Sequence, residues 1–380
     1  MRLGVAGTGA AEYEIQAAVR HPGIELTALA DIDAEALASA CERYGVAGFP
    51  NVEALCDSGL VDALFIGTPT DLHTEHALTA IEAGKHVVLA KPMALNLADG
   101  QRTIAAAEAR GVHLIVGHSQ SYEPAVKRMR EIVVSGELGR LGMINSWYYT
   151  DWIYRGRKPS ELQTELGGGV VYRQGAHHFD IARVLGGGLA RSVRAMAGRW
   201  DQQRPTEGAY AAFLEFESGA AATLVFNGYD HFRTTELGFP IGEGGNEVRD
   251  EVYGQARAAI AARPADELAL KKERRMRQPG ERRQAFYGLT IVSCERGDIR
   301  QSPDGLLVYG DEGPREVPLP RGVTGRDLML DELYQAVVSD TPALHDGRWG
   351  MATLELQLAV LESARERREV LLSHQVAYRG

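Results

Sequence analysis

Arg2-Leu3-Gly4-Val5-Ala6-Gly7-Thr8-Gly9-Ala10-Ala11-Glu12 opens the chain. Its apolar start reads as a short buried strand, and Gly7 and Gly9 as the turn into a helix. Glycines serve at such a turn because a pyrophosphate must approach the main-chain amides at the helix N-terminus. Ile24-Glu25-Leu26-Thr27-Ala28-Leu29-Ala30-Asp31 reads as a second strand ending in an acid, 24 residues after Gly7. A carboxylate at that distance can hold the ribose hydroxyls of NAD. Glu12 stands where the fingerprint has its third glycine, and an ordinary βα turn is the competing reading. With strand, turn, helix and acid in order, the expectation is an NAD site at Gly7, Thr8, Gly9, Ala10 and Asp31. NAD is expected over NADP, because Asp31 would repel a 2′-phosphate and Ile32 and Asp33 supply no cation.

The alternation continues to about residue 122. Val61–Gly67, His86–Ala90 and Val112–Gly117 read as strands, with helices over Leu72–Ala83 and Leu97–Arg110. Such βα alternation argues for a doubly wound parallel sheet. Beyond Tyr122 the pattern changes to α+β. A helix is expected over Pro124–Val134 and β structure from Met143. Ala209–Glu217 and Ala220–Asn227 flank Ser218-Gly219 as a hairpin, and helices follow near Leu328–Ser339 and Met351–Arg365. The expected division is therefore a nucleotide-binding domain over 1–122 and a substrate domain over 123–380. The basic run at 271–277 and Arg282-Arg283 read as a charged insertion loop or helix end.

Composition bounds the function. The 380 residues are 44% hydrophobic and 24% charged with a net charge of −10, which disfavours nucleic acid or an anionic membrane as partner. Cys41, Cys56 and Cys294 are too few and scattered for a disulfide framework or a zinc cluster, so no metal is expected. The N-terminal residues carry no leader pattern and no apolar run reaches membrane-spanning length, so a cytoplasmic setting is expected.

A second informative stretch is Gly167-Gly168-Gly169-Val170-Val171-Tyr172-Arg173-Gln174-Gly175-Ala176-His177-His178-Phe179-Asp180. On a helix, Arg173, His177 and Asp180 would fall at i, i+4 and i+7, on one face. A cation, a titratable base and a carboxylate together suit proton transfer beside an anionic substrate. A solvated helix face would show the same spacing. Just upstream, Tyr148 to Pro159 combines aromatics with Arg155, Arg157 and Lys158. That mixture suits a flat carboxylated ring, or else a basic loop over core aromatics.

Gly7-Thr8-Gly9, Gly67-Thr68-Pro69-Thr70-Asp71-Leu72-His73, Ala90-Lys91-Pro92, Gly175-Ala176-His177-His178-Phe179-Asp180 and the stretch from Asp346 through Arg348-Trp349 occur in order along nearly the whole chain. In these marks it resembles the family of glucose–fructose oxidoreductase, inositol 2-dehydrogenase and the MocA proteins. The resemblance implies a Rossmann domain, a C-terminal domain on a large open, mostly antiparallel sheet, and NAD. It also implies a homodimer or homotetramer associating through that sheet. By position, Lys91 and His177 would be catalytic, and Thr68, Pro69, His73, Lys91 and Pro92 would join the cofactor site. Ala90 replaces the family's glutamate before the lysine, and Arg173 replaces an aspartate, a cation that would either favour a carboxylated substrate or form an internal salt bridge. The Pro92 bond is a candidate for the cis form.

Residues 147–235, with Asp151-Trp152-Ile153-Tyr154-Arg155 and Asn227-Gly228-Tyr229-Asp230-His231-Phe232, resemble the phthalate 4,5-cis-dihydrodiol dehydrogenase branch. That implies oxidation of a carboxylated cis-dihydrodiol to a catechol. Tyr154, Arg155, Arg157, Arg173, His178 and Asp180 are the expected substrate-binding groups. A sugar, cyclitol or glycoside 3-dehydrogenase is the alternative enzyme, and an NAD-binding regulator without turnover the alternative class.

Overall fold

The computed structural model describes residues 1–248, 253–263, 265–275 and 281–380. It contains two compact units. One comprises residues 1–122, 324–354 and 379–380, the other residues 123–323 and 355–378.

In the first unit the opening stretch forms strand β1 (Arg2–Ala6), and helix α1 (Glu12–Arg20) follows the glycine turn. The alternation runs on through β2 (Glu25–Ala30), α2 (Ala34–Tyr44), β3 (Ala47–Phe49), α3 (Val52–Asp57), β4 (Ala63–Ile66), α4 (His73–Glu82), β5 (His86–Ala90), α5 (Leu97–Arg110) and β6 (Leu114–Gly117). The six strands lie in the order β3-β2-β1-β4-β5-β6, all parallel. Every residue of β4 is buried, as a strand covered by helices on both faces must be. The order reverses between β1 and β4, where doubly wound sheets open a crevice at their strand ends. Helix ends follow local chemistry. The Asp33 carboxylate accepts from the Glu35 and Ala36 amides at the start of α2, and Gly45 ends that helix at φ 68°.

Glu12 is accommodated where a third glycine was expected. Its carboxylate turns outward and accepts from Tyr44 Oη at 2.7 Å and Gln16 Nε2 at 3.0 Å.

The second unit begins with α6 (Pro124–Ser135), β7 (Leu141–Tyr149) and α7 (Ala176–Gly186). Next come β8 (Ala190–Gly198), β9 (Ala209–Phe216), β10 (Ala221–Asn227), α8 (Gln255–Ala262) and α9 (Glu267–Arg275). The meander β11 (Leu289–Cys294), β12 (Gly297–Ser302), β13 (Gly305–Gly310) and β14 (Gly313–Pro318) follows. Helices α10 (Gly325–Ser339) and α11 (Gly347–Glu366) and strand β15 (Val370–Leu371) complete the described chain. The sheet order is β14-β13-β12-β11-β7-β10-β9-β8-β15, antiparallel except between β7 and β10. One face of β7 is buried through Ile144, Ser146 and Tyr148, while Met143 and Trp147 of the other face are exposed. The hairpin expected around Ser218-Gly219 is present, with Ala221 paired to Glu215.

Residues 324–354, placed by the sequence reading in the second domain, pack with the first unit. Met329, Leu330 and Leu333 of α10 enter its apolar core, and Arg20–Asp327 (2.6 Å) and Arg326–Glu14 (2.7 Å) tie α10 to α1. Of the basic run, 271–275 belong to α9, while Met276 and Arg277 lie outside the described residues. Among the described residues no helix is long and apolar enough to cross a membrane. No group of three His, Cys, Asp or Glu among them could hold a metal ion.

Candidate active site

The nucleotide-binding features of the first unit are made mainly by the main chain. Gly7 has φ 87°, and a Cβ there would lie 2.7 Å from the carbonyl oxygen of Gly67. Only glycine fits that turn. At Gly9 a Cβ would meet nothing within 4 Å, and Gly9 and Ala10 are exposed just before α1. Open backbone at a helix start is where a pyrophosphate can be held. Asp31 ends β2, accepting from Thr8 Oγ1 at 2.6 Å and from the Asp33 amide at 3.1 Å. Thr8 therefore orients the acid. Ile32 beside it is 91% exposed, an apolar surface suited to an adenine ring. The sequence reading passed over Ile32 except to note that it is not a cation. These residues fit NAD.

The Lys91–Pro92 bond at the end of β5 is cis. Lys91 is half-buried, Thr68 is half-buried and Pro69 is exposed. Thr68 Oγ1 lies 2.9 Å from His76 Nδ1. His73 departs from the expected cofactor contact. Its ring is 1% exposed, with Nδ1 at 2.8 Å from the Pro92 carbonyl oxygen and Nε2 at 2.9 Å from that of Thr68. It binds protein main chain on both sides.

In the second unit the glycine run turns sharply. Gly167 and Gly169 have positive φ, and a Cβ on Gly168 would lie 2.6 Å from the Gln163 carbonyl oxygen. Val171–Gly175 then forms a π-helical turn before α7 begins. Of the expected stripe of three, Arg173 and His177 stay partly open while Asp180 is buried. Between Gly167 and Leu185, Arg173 and His177 are half-buried and every other residue is buried. Asp180 is fully buried 3.9 Å from the equally buried Arg183, a packing position rather than a substrate contact. His178 is also inside. Its ring nitrogens contact Tyr210 Oη and Ser146 Oγ at 2.8 Å each, and burial pushes its pKa down to about 3. The expectation that His178 meets substrate is corrected by that packing. The ring of His177 lies 5.8 Å from that of Tyr287, whose hydroxyl donates to the Gln174 carbonyl at 2.7 Å.

The cations upstream are largely consumed by partners. Arg155 donates to Asp151 at 2.8 Å, Glu243 at 2.6 Å and Thr150 at 3.0 Å. Burial opposes its charge, but Asp151 and Glu243 hold its pKa well above the usual arginine range. Arg157 lies over the Trp152 ring at 3.6 Å and donates to the Trp152 carbonyl at 2.7 Å. Burial lowers its pKa to about 9. The Tyr154 hydroxyl donates to Asp201 at 2.8 Å, and burial together with that acid raises its pKa to about 12. None of these three is an open substrate contact, because each polar group was drawn to a protein partner on folding.

Arg173 keeps 30% of its side chain exposed and pairs with Glu161 at 3.3 Å. The same carboxylate contacts Lys271 of α9 and lies 3.9 Å from Arg157. Burial works to raise the Glu161 pKa, yet Arg173, Arg157 and Lys271 bring it down to about 2. Burial also lowers Lys271 to about 8. Three cations therefore gather around the one Glu161 carboxylate. Glu161 and Lys271 were not counted among the site residues, being 110 residues apart, with Lys271 in a run read as a charged insertion loop or helix end.

A cavity of about 230 Å³ in this unit is lined by Tyr149, Arg155, Arg233, Phe239, Glu243 and Arg274, among others, but not by Arg173 or His177. Several of its charges are matched internally. Arg274 pairs with Asp151 at 2.8 Å and Arg233 with Asp230 at 2.7 Å.

Comparison with known proteins extends this picture. Residues 1–118 match an oxidoreductase family with an NAD-binding Rossmann fold, and residues 126–258 match the GFO/IDH/MocA C-terminal domain. A 1-carboxy-3-chloro-3,4-dihydroxycyclohexa-1,5-diene dehydrogenase from Comamonas testosteroni is 34% identical over 96% of this chain and 95% of its own. The solved structure of an inferred dehydrogenase from Bordetella bronchiseptica RB50 is 40% identical, with a TM-score of 0.93 over 98% of this chain and 99% of its own. The WlbA dehydrogenase from Bordetella pertussis, solved with NADH and UDP-GlcNAcA, shares the fold at 22% identity and a TM-score of 0.71, over 98% and 99%. The chain belongs to the Gfo/Idh/MocA family and is an NAD-dependent oxidoreductase.

Proposed function

We propose that the enzyme oxidises a secondary alcohol of a carboxylated cis-dihydrodiol, giving a catechol. The carrying observation is that Arg173 and His177 are the two half-buried positions in an otherwise buried stretch, where Arg173 shares Glu161 with Arg157 and Lys271. The Comamonas relative acts, by its name, on a carboxylated cyclohexadiene diol. The first unit binds cofactor through Gly7, Thr8, Gly9, Ala10 and Asp31, with Thr68, Pro69, Lys91 and Pro92 completing that site. When bound, NAD accepts a hydride from the carbinol carbon. His177 takes the hydroxyl proton as general base, and Lys91 donates a hydrogen bond to the same oxygen as negative charge develops on it. Arg173 receives the substrate carboxylate as a charge-assisted pair. The ketone formed loses a ring C–H proton and gains an O–H, and the aromaticity recovered draws the reaction forward. Asp31 disfavours a ribose 2′-phosphate, which sets the preference for NAD over NADP.

A second reading, oxidation of a neutral sugar, cyclitol or glycoside, draws on the bond between Arg173 and Glu161, since a cation already paired needs no anionic substrate. Specificity constants for phthalate 4,5-cis-dihydrodiol and its amide, in wild type and Arg173→Ala, separate the two. A ratio of acid to amide that stays constant favours the neutral substrate. Binding without NAD reduction for any ligand would favour a regulator, a reading opposed by the presence of both Lys91 and His177. The second unit also provides self-association as a homodimer or homotetramer, through the sheet face on which Met143, Trp147, Met196 and Phe213 are exposed. A cytoplasmic setting, with no nucleic-acid or membrane partner, fits the net charge of −10.

A further inference from the structure

Lys91 has to present its ammonium group at a defined place, and Ala90 before it has no carboxylate with which to brace it. The structure offers another brace. Strands β4 and β5 are parallel neighbours, with Ile66 paired to Leu89, so the loops that leave their C-terminal ends run side by side. His73, the first residue of α4, bridges these loops. Its Nδ1 meets the Pro92 carbonyl oxygen at 2.8 Å and its Nε2 the Thr68 carbonyl oxygen at 2.9 Å. A carbonyl oxygen only accepts, so a neutral ring, with its single N–H, donates to one of the two carbonyls and packs against the other, whereas a doubly protonated ring donates to both. The ring is 1% exposed, which leaves water little chance to substitute for it. One end of the bridge is the carbonyl of Pro92, the residue that follows Lys91. The other is the loop from β4, which is also fixed by Thr68 Oγ1 at 2.9 Å from His76.

We propose that His73 is a positioning residue, not a cofactor contact: it sets the Lys91–Pro92 turn by fastening it to the loop after β4. The inference rests on the assignment of Lys91 to the reacting oxygen. Displacements of about 1 Å at a reacting group can cost on the order of 10²-fold in rate. His73→Ala should therefore reduce turnover of phthalate 4,5-cis-dihydrodiol at saturating NAD by about 10- to 100-fold. NAD affinity, read by titration of intrinsic fluorescence, should fall by a clearly smaller factor than turnover, because the shifted turn keeps its place in the cofactor site while the Lys91 ammonium loses its alignment.

The test combines a double-mutant cycle with crystal structures. In the Lys91→Ala background, removing His73 should cost little further turnover, because the bridge acts through Lys91. Crystals of His73→Ala without substrate should show the Pro92 carbonyl and the Lys91 side chain displaced relative to wild type. If His73→Ala does not fold, His73→Asn takes its place. Its amide can serve one carbonyl, and it should fall between wild type and Lys91→Ala. An unmoved turn would overturn the proposal, as would full additivity of the two substitutions. A tenfold or greater loss of NAD affinity with turnover intact would also overturn it, in favour of direct cofactor contact. Full turnover in Lys91→Ala alone would remove the role given to Lys91, and the displacement in the crystal would still decide whether His73 sets the turn.

Discussion

Residues 1–31 and residues 151–173 assemble polar groups in opposite ways. The first region leaves its ligand-holding surface to the main chain and to one acid. Gly9 and Ala10 are exposed at the start of α1, and Asp31 is steadied by its near neighbours Thr8 and Asp33. The second region is rich in cations and spends most of them internally. Arg155 is held by Asp151 and Glu243, Arg157 by Trp152, and Arg173 in part by Glu161. A site built from backbone is local and stays open to its ligand. Charged side chains in a folding chain find each other first, and only a surplus remains for a substrate.

The largest expected effect lies in the second region. His177→Ala should reduce turnover by about 10²- to 10⁴-fold, as loss of a general base does, while leaving NAD affinity nearly unchanged. Near-normal turnover would remove His177 from the chemistry. Glu161 tests the cluster of cations that shares it. Glu161→Gln strands buried cations and should cost about 3–5 kcal/mol in urea unfolding. Its pKa of about 2 in the folded state lies below the ordinary 4.5. The stability it supplies is therefore present above pH 4.5 and lost as pH falls toward 2. That contribution is at most about 3 kcal/mol by linkage, and Glu161→Gln should flatten the corresponding part of the acid limb.

A smaller effect is expected at Arg173, which is partly exposed and already paired. Arg173→Ala should reduce the preference for an acid over its amide by about tenfold, the lower end for a charge-assisted contact. Specificity constants for the two substrates measure it. The smallest effects compare the two glycines of the opening turn. Gly7→Ala forces a side chain into positive φ against Gly67 and should cost more than about 1 kcal/mol of stability. Gly9→Ala meets open space and should unfold like wild type, with weaker NAD binding as its only cost. Equal destabilisation by both would break the picture of an open cradle.

Most of the first unit was legible because its signals are short-range. β5 and α5 span His86–Ala90 and Leu97–Arg110, as the alternation of apolar runs implied. The segment Arg173–Asp180 stood out by its residue types, but its geometry was not legible. A π-helical turn is set by how the surrounding core accepts an extra residue, and helical spacing alone carries no sign of it. Asp180 and His178, counted with the substrate groups, lie inside the unit. His73 was found as a motif residue, but its two carbonyl partners belong to loops from different strands.

By itself, the sequence determined the doubly wound start, the acid that follows the second strand, the cis Lys91–Pro92 turn as a candidate, and Lys91 and His177 as the residues whose chemistry to expect. These follow from local backbone preference, strand and helix periodicity, and residue spacing within one family pattern. Only the tertiary structure decided that α10 returns to the first unit, that Glu12 turns outward to Tyr44, and that Glu161 gathers Arg157, Arg173 and Lys271. The reason is physical. Burying a charge requires a partner, and that partner is chosen by proximity in the folded core rather than along the chain.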